Sequence, residues 1–230
     1  MTVDVKGQLV EAIRMLARAE IIDHGGHCSA RRSHDTFFIN TGRSVRRTLT
    51  VADIVAVDLG GNIVEGSAPP PLEFHIHSGI YRGRPDVNAI MHTHPRWSTF
   101  LTMTGIGFQP VMPQGALLGV VPVLDSPLSV NTDEAGRRLA ETLGSARAVF
   151  LKSHGAVVVG ADIRECFALV AYAEENAYRQ YMASQIGEPY VLSAAEQQAC
   201  RDNLWAPHLF QKVWDHYRSG LYSEVGRDSM

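Results

Sequence analysis

The 230-residue sequence is short of several things, and each shortage removes a class of protein. Cys28, Cys166 and Cys200 lie far apart and form no Cys-x-x-Cys pair, which argues against a disulfide framework or a thiolate metal knuckle. An odd, scattered set suits a reducing cytosol, with each thiol serving as a small apolar residue. No uncharged apolar run reaches the length of a membrane span. The first 22 residues carry Asp4, Lys6, Glu11, Arg14, Arg18 and Glu20, so they lack the apolar core of a secretion signal. Positive charge is not in surplus either: 21 Lys+Arg stand against 24 Asp+Glu, a formal net charge of −3. Attraction to nucleic acid or to an anionic bilayer is not expected. The expectation is a cytoplasmic protein with neither a nucleic-acid nor a membrane partner.

What is present is the balance of a folded chain, 45% hydrophobic and 20% charged, of a length that suits one domain over residues 1–230. Leu9, Ile13 and Leu16 make an apolar stripe, so residues 5–21 predict a helix. Gly25-Gly26 forces a turn, and 27–31 and 36–40 follow as short strands. Residues 54–58 and 62–65 predict a hairpin around Gly60-Gly61. Pro69-Pro70-Pro71 halts regular structure, and 72–82 reads as a helix with a proline just ahead of its first turn. Strands are expected at 88–92, 120–124, 148–151 and 156–159, and helices at 96–104, 132–143 and 162–184. Asp162 is placed to cap the last of these. A helical tail begins at about residue 193 and ends in a polar stretch. Helices alternating with short strands give the α/β class, with a mixed sheet between helices.

The chemistry-bearing residues are mostly histidines. In His92-Thr93-His94, at the end of a strand, residues two apart face the same way, so both rings can address one ion. Pro95 then ends the ladder. His154 sits between two apolar runs, with Gly155 letting the backbone turn beside it. Three imidazoles with an open position is the ligand count of a catalytic ion. Spacing alone leaves metal ligation and plain hydrogen-bonding histidines equally open. Glu73 opens a helix, where the dipole favours a carboxylate with no chemistry implied. His77 lies one turn on, on the same face, and reads as a packing residue behind the ligands.

These residues also form a pattern. Pro70-Pro-Leu-Glu73-Phe-His-Ile-His77, Arg84-Pro-Asp-Val-Asn-Ala-Ile-Met-His92-Thr-His94 and Lys152-Ser-His154-Gly155 resemble the class II aldolase/adducin family. Gly26-His-Cys-Ser29 and Asn40-Thr-Gly42 look like its two substrate loops, and the resemblance runs from about residue 7 to 200. It implies an α/β/α sandwich with a mixed, largely antiparallel sheet, assembled as a homotetramer with active sites between subunits. It also implies one divalent ion per subunit, Zn2+ or Mn2+, on His92, His94 and His154, with Glu73 as the catalytic acid/base. Actin-binding adducin relatives lack this metal set, so an enzyme is expected ahead of a non-catalytic binding module.

Within the family, phosphate-sugar aldolases place a Ser-Ser pair just before the glutamate. Pro71 and Leu72 stand there instead, without a side-chain donor between them. Met112-Pro-Gln114 replaces a tyrosine that such enzymes take from a neighbouring subunit. The Pro-Pro-Leu-Glu73, Gly115-Ala-Leu-Leu-Gly119 and Val123-Leu-Asp125 segments are similar to the branch that decarboxylates dihydroxyphthalates and hydroxypyridine dicarboxylates. The resemblance therefore implies a metal-dependent carboxy-lyase acting on a small hydroxylated (hetero)aromatic carboxylate. Aldol cleavage of a non-phosphorylated hydroxy-keto acid is the alternative, and cleavage of a sugar phosphate is less favoured. Glu73 needs a raised pKa to act as an acid near neutrality, which burial by Leu72 and Phe74 is expected to supply. Substrate contacts are expected from Ser29, Thr41, Gly42 and Arg43, with Arg31, Arg32 and Arg96 as further cations. Arg96 and His77 are also candidates for supporting the metal ligands from behind.

Overall fold

A computed structural model describes residues 4–222. Its strands are β1 (His27–Arg31), β2 (Thr36–Asn40), β3 (Ile54–Asp58), β4 (Ile63–Glu65), β5 (Ala89–Thr93), β6 (Val123–Leu124), β7 (Ala148–Leu151) and β8 (Gly155–Gly160). They form one open sheet in the order β4-β3-β2-β1-β5-β8-β7-β6. Every pairing is antiparallel except β6 with β7, so the sheet is mixed and largely antiparallel. The helices are α1 (Val5–Arg18), α2 (Phe74–Gly83), α3 (Arg96–Met103), α4 (Asp133–Leu143), α5 (Ile163–Ile186), α6 (Ala194–Leu204) and α7 (Pro207–Tyr222).

Alternation along the strands sorts side chains into two cores. Cys28, Ala30, Ala89, Met91 and Val158 face α1, α5 and α7, where Leu9, Ile13, Phe167 and Trp214 meet them. Phe37, Ile39, Val55, Val57, Ile90, Val149, Val157 and Val159 face α2 and α4 and pack on Ile76, Ile80 and Leu139. Burying each such large apolar side chain contributes about 1.5–3 kcal/mol, which fixes which face of each strand points where. This is the α/β/α sandwich. The small residues of the first layer let α5 lie close to the sheet; the second layer carries the larger aliphatics.

Three boundaries differ from expectation. The first helix closes at Arg18 because Glu20 takes a left-handed conformation, φ 58°. The strand expected at 120–124 shrinks to Val123–Leu124, since Pro122 has no N–H to give the ladder; its carbonyl instead accepts from Phe150 N at 2.9 Å. The C-terminal tail is two helices rather than one, broken just before Pro207. Its expected polar end, 223–230, lies outside the described residues. Cys28 and Cys166 are buried, and Cys200 is half-buried. Burial pushes the Cys28 thiol up to about 12, which keeps it protonated and unreactive.

Candidate active site

Residues of β5 alternate, so His92 follows Ile90 onto the α2 face and His94, just past the strand, points the same way. The register sets His92 between His27 of β1 and Val157 of β8. His154 comes from the tight turn joining β7 to β8. In that turn the left-handed residue is Ser153, φ 55°, rather than the glycine. Gly155 is required for a different reason: a Cβ there would lie 2.3 Å from the Thr93 carbonyl and 2.9 Å from the His94 ring. Gly25 is constrained likewise, its Cβ position falling 2.8 Å from Cε1 of His94. Both glycines let main chain close around the His94 ring.

Glu73 is the N-cap residue of α2, yet its side chain does not cap that helix. Its Oε1 accepts from Val130 N at 2.8 Å, which turns the carboxylate toward the histidines. Oε2 lies 3.6 Å from His92 Nε2, and Oε1 lies 3.8 Å from His154 Nε2. His92 and His94 bring their Nε2 atoms to 3.1 Å from one another. Partners behind the rings dictate their tautomers. His92 Nδ1 donates to the Ala156 carbonyl at 3.1 Å, and His94 Nδ1 donates to Asp23 Oδ1 at 2.9 Å. Both Nε2 atoms therefore face each other as lone pairs. His154 has its Nδ1 buried with no partner of ordinary geometry, although the Leu128 main chain lies beside the ring.

One donor atom from each of Glu73, His92, His94 and His154 lies within 4.8 Å of all the others. An ion with bonds of about 2.0–2.1 Å in tetrahedral geometry sets its ligands roughly 3.3 Å apart, which this group meets with small adjustments. A lone-pair contact at 3.1 Å between two neutral rings is repulsive by itself, and a cation removes the repulsion. The donor set thus fits a divalent ion.

Electrostatics differ from expectation at Glu73. Leu72 is 81% exposed and does not cover it, and Phe74 lies over His75 at 4.0 Å between ring centroids. Burial does push the carboxyl up, but its His92 neighbour, the Val130 N–H and His154 outweigh it and hold the group down to about 2. The expected raised pKa is absent. Burial, with His92 adding to it, holds His94 down to about 4.

The other expected site residues divide. Ser29 is fully buried, and its hydroxyl is engaged by His77 Nδ1 at 2.6 Å and Tyr81 OH at 2.9 Å, which takes it out of direct reach of a substrate. Thr41 is buried with its hydroxyl unpartnered, and Gly42 and Arg43 are exposed. The Gly42 N–H already donates to the Pro69 carbonyl at 3.2 Å. Arg31 is spent on the carbonyls of Val87, Tyr81 and Arg84, and Arg32 pairs with Glu65 at 3.1 Å. Arg96 is exposed and lines a shallow cleft with Glu20, Glu174 and Glu175. His77 lies behind His27, with His27 Nδ1 at 2.7 Å from His77 Nε2. Sequence reasoning missed Asp23, which orients His94, and Arg46, which is buried and donates to the Gly26 carbonyl at 2.6 Å. It also missed Glu174, whose carboxylate accepts from Trp97 N and Ser98 N and so caps α3 directly after the His94-Pro95 step.

Comparison with known proteins completes the description. A family model described as the class II aldolase and adducin N-terminal domain matches residues 7–181. An L-fuculose phosphate aldolase of Methanocaldococcus jannaschii is 30% identical over 177 residues, covering 75% of this chain and 93% of that protein. A 3,4-dihydroxyphthalate decarboxylase of Arthrobacter keyseri is 28% identical over 171 residues, covering 67% of this chain and 68% of that protein. Among solved structures, an L-fuculose 1-phosphate aldolase superposes with a TM-score of 0.81 at 26% identity, over 90% of this chain and 98% of that one. No helix among the described residues is long and apolar enough to cross a membrane.

Proposed function

The chain belongs to the class II aldolase and adducin N-terminal domain family, and we propose that it is a metal-dependent carbon–carbon lyase that decarboxylates a hydroxylated aromatic or heteroaromatic carboxylate. A dihydroxyphthalate or a hydroxypyridine dicarboxylate is the favoured type. The observation that carries this reading is the approach to Glu73. Pro71 and Leu72 offer no side-chain donor, and the Gly42 N–H beside them is already bonded to Pro69. A phosphate would find no donor from the Pro71-Leu72 side of the site. Leu72 next to Glu73 and Leu128 next to His154 are 81% and 73% exposed, an apolar rim that suits the face of a ring.

His92, His94 and His154 are the proposed ligands, with Glu73 near enough to join them. Three imidazoles suit zinc, and the carboxylate admits manganese. When bound, the ion supplies Lewis-acid stabilisation of the oxyanion next to the bond that breaks. Glu73, an anion at neutral pH, accepts the proton of the substrate's ring hydroxyl and returns it to the ring carbon that bears the carboxylate. The resulting β-keto acid breaks its carbon–carboxyl bond, the electron pair returns to the ring, and carbon dioxide leaves. Water then reprotonates the ring oxygen. Arg43, exposed in the loop that packs on Pro70-Pro71, is the proposed partner of a second carboxylate. Thr41 and Gly42 form the rest of that loop. The assembly is proposed as a homotetramer, supported by the exposed Phe100, Met103, Ile106 and Tyr181 around one apolar groove.

Aldol cleavage of a hydroxy-keto acid is the second reading, favoured by the fuculose-phosphate aldolase relative at 30% identity. One experiment separates the two. Purified protein is analysed for metal and assayed for carbon dioxide release from 3,4-dihydroxyphthalate, before and after chelation. Release that disappears on chelation and returns with zinc or manganese supports the decarboxylase. Bound metal without release, together with cleavage of a hydroxy-keto acid, would replace it with the aldolase.

A further inference from the structure

Behind the candidate metal ligands runs a file of four buried polar groups that the reaction above does not use. His27 and Ser29 project from β1 on the α2 face, because Cys28 and Ala30 between and beyond them fill the opposite core. His77 and Tyr81, one turn apart on α2, come down to meet them. His27 Nδ1 is 2.7 Å from His77 Nε2, His77 Nδ1 is 2.6 Å from Ser29 Oγ, and Ser29 Oγ is 2.9 Å from Tyr81 OH. The far atom of the file, His27 Nε2, is buried without a hydrogen-bond partner and lies 4.0 Å from Glu73 Oε2.

Each link holds one hydrogen, so the file runs one way or the other. In the first direction Tyr81 O–H donates to Ser29, Ser29 O–H to His77 Nδ1, and His77 Nε2–H to His27 Nδ1. His27 then presents Nε2–H to the site. In the reverse direction Tyr81 O–H is left at a buried end, where no acceptor other than Ser29 is seen among the described residues. His27 Nε2 would then be a bare lone pair facing the carboxylate of Glu73, acceptor against acceptor. The Arg31 guanidinium lies over the Tyr81 ring at 4.4 Å, which strengthens the phenol as a donor. The first direction satisfies every link and leaves one N–H unspent, aimed beside Glu73.

We propose that His27 is an uncharged N–H donor to an anionic oxygen of the substrate, a carboxylate or the oxyanion formed beside Glu73, and that Tyr81 fixes its tautomer from behind through Ser29 and His77. This rests on the reading of the Glu73–histidine group as the catalytic site. His27 touches substrate; Ser29, His77 and Tyr81 are positioning residues. A donor held by a buried file costs no reorganisation when charge develops on its acceptor.

The decisive measurement is the side-chain 15N NMR spectrum of the zinc-loaded wild-type protein, with His27 and His77 assigned through His27→Gln and His77→Asn. Both rings are expected as Nε2–H tautomers. Nδ1–H on either ring reverses the file and overturns the proposal, whatever the reaction proves to be. With 3,4-dihydroxyphthalate, His27→Gln is expected to keep its zinc and lose roughly 10- to 100-fold in kcat/KM, the scale of a hydrogen bond to a charged oxygen. Tyr81→Phe is expected to lose a few-fold and to show mixed tautomers at His27. Full turnover in His27→Gln with zinc intact would remove the substrate contact. Absence of turnover in the wild type would count against the decarboxylase reading, and the tautomers would still decide the file.

Discussion

Two groups of histidines, His27 with His77 and His92 with His94 and His154, lie side by side, and they are assembled on opposite rules. Inside, Tyr81 and Ser29 hand hydrogens along a closed file to His77 and His27, so all but one nitrogen of these two rings is satisfied within the protein. Outside, His92 and His94 spend their hydrogens on Ala156 and Asp23 and turn lone pairs toward one another. Burial keeps His27, His77 and His94 short of protons, yet only the outer group carries an unmet demand for positive charge. A buried histidine cluster is therefore not a metal site because it is rich in histidine. It becomes a candidate when nitrogens of several rings converge and, as at His92 and His94, the second nitrogen is already occupied.

The largest expected effect comes from breaking the outer group. His92→Ala removes a ligand and is expected to lower lyase turnover by at least about a thousandfold, some 4 kcal/mol of transition-state stabilisation, with zinc content falling in parallel. His77→Ala, on the inner side, is expected to leave zinc content near that of the wild type. Equal metal loss in both variants would erase the distinction. Glu73→Gln sharpens it, since it keeps the shape and removes the proton carrier. Turnover is expected to fall by roughly 10²–10³ with metal retained, as read by single-turnover kinetics beside elemental analysis.

Asp23→Asn tests the support behind His94. The ring should lose its anchor and metal affinity should drop by about 10- to 100-fold in competition with a chelator. The smallest effect is on stability and concerns both groups together. Burial and the neighbouring imidazoles hold His94 down to about 4 and His77 to about 3, below the ordinary value of 6.5. An unfolded chain takes up protons below about pH 6.5 that the folded one refuses. The stability of the neutral rings is thus complete above pH 6.5 and is lost as the pH falls toward 4 and then 3. Calorimetry of the metal-stripped protein should show a melting temperature lower by roughly 5–10 °C at pH 4.5 than at pH 7. A flat profile would mean that protons enter the cluster freely.

Much of this was legible in the residues. The period of two in His92-Thr93-His94 places both rings on one side, and the structure does so. The run of aliphatics on either side of His154 marks it as a turn between strands. What escaped depends on register and on how α2 is rotated against the sheet. His27 opposite His92 is a property of β1–β5 pairing, sixty-five residues apart in the chain, and no local pattern reports it. Asp23 and Arg46 act through loop geometry around Gly26. Glu73 was expected to be sheltered by Leu72, but that side chain stands out in solvent, and His92, the Val130 N–H and His154 together outweigh burial at the carboxyl.

The register of β5 has a further effect, on assembly of the native chain. Thr93 pairs with Ala156 and His92 with both Val157 and His27 in the middle of the sheet. Sliding β5 by one residue would turn Thr93 toward the site and drive both histidines into the apolar layer under α5. A mispaired sheet would therefore have no ion-binding group at all. An ion held by this group would stabilise the correctly paired sheet alone, so zinc added during refolding is expected to raise the yield of native chains. Refolding yields with and without zinc, compared under otherwise identical conditions, should separate accordingly.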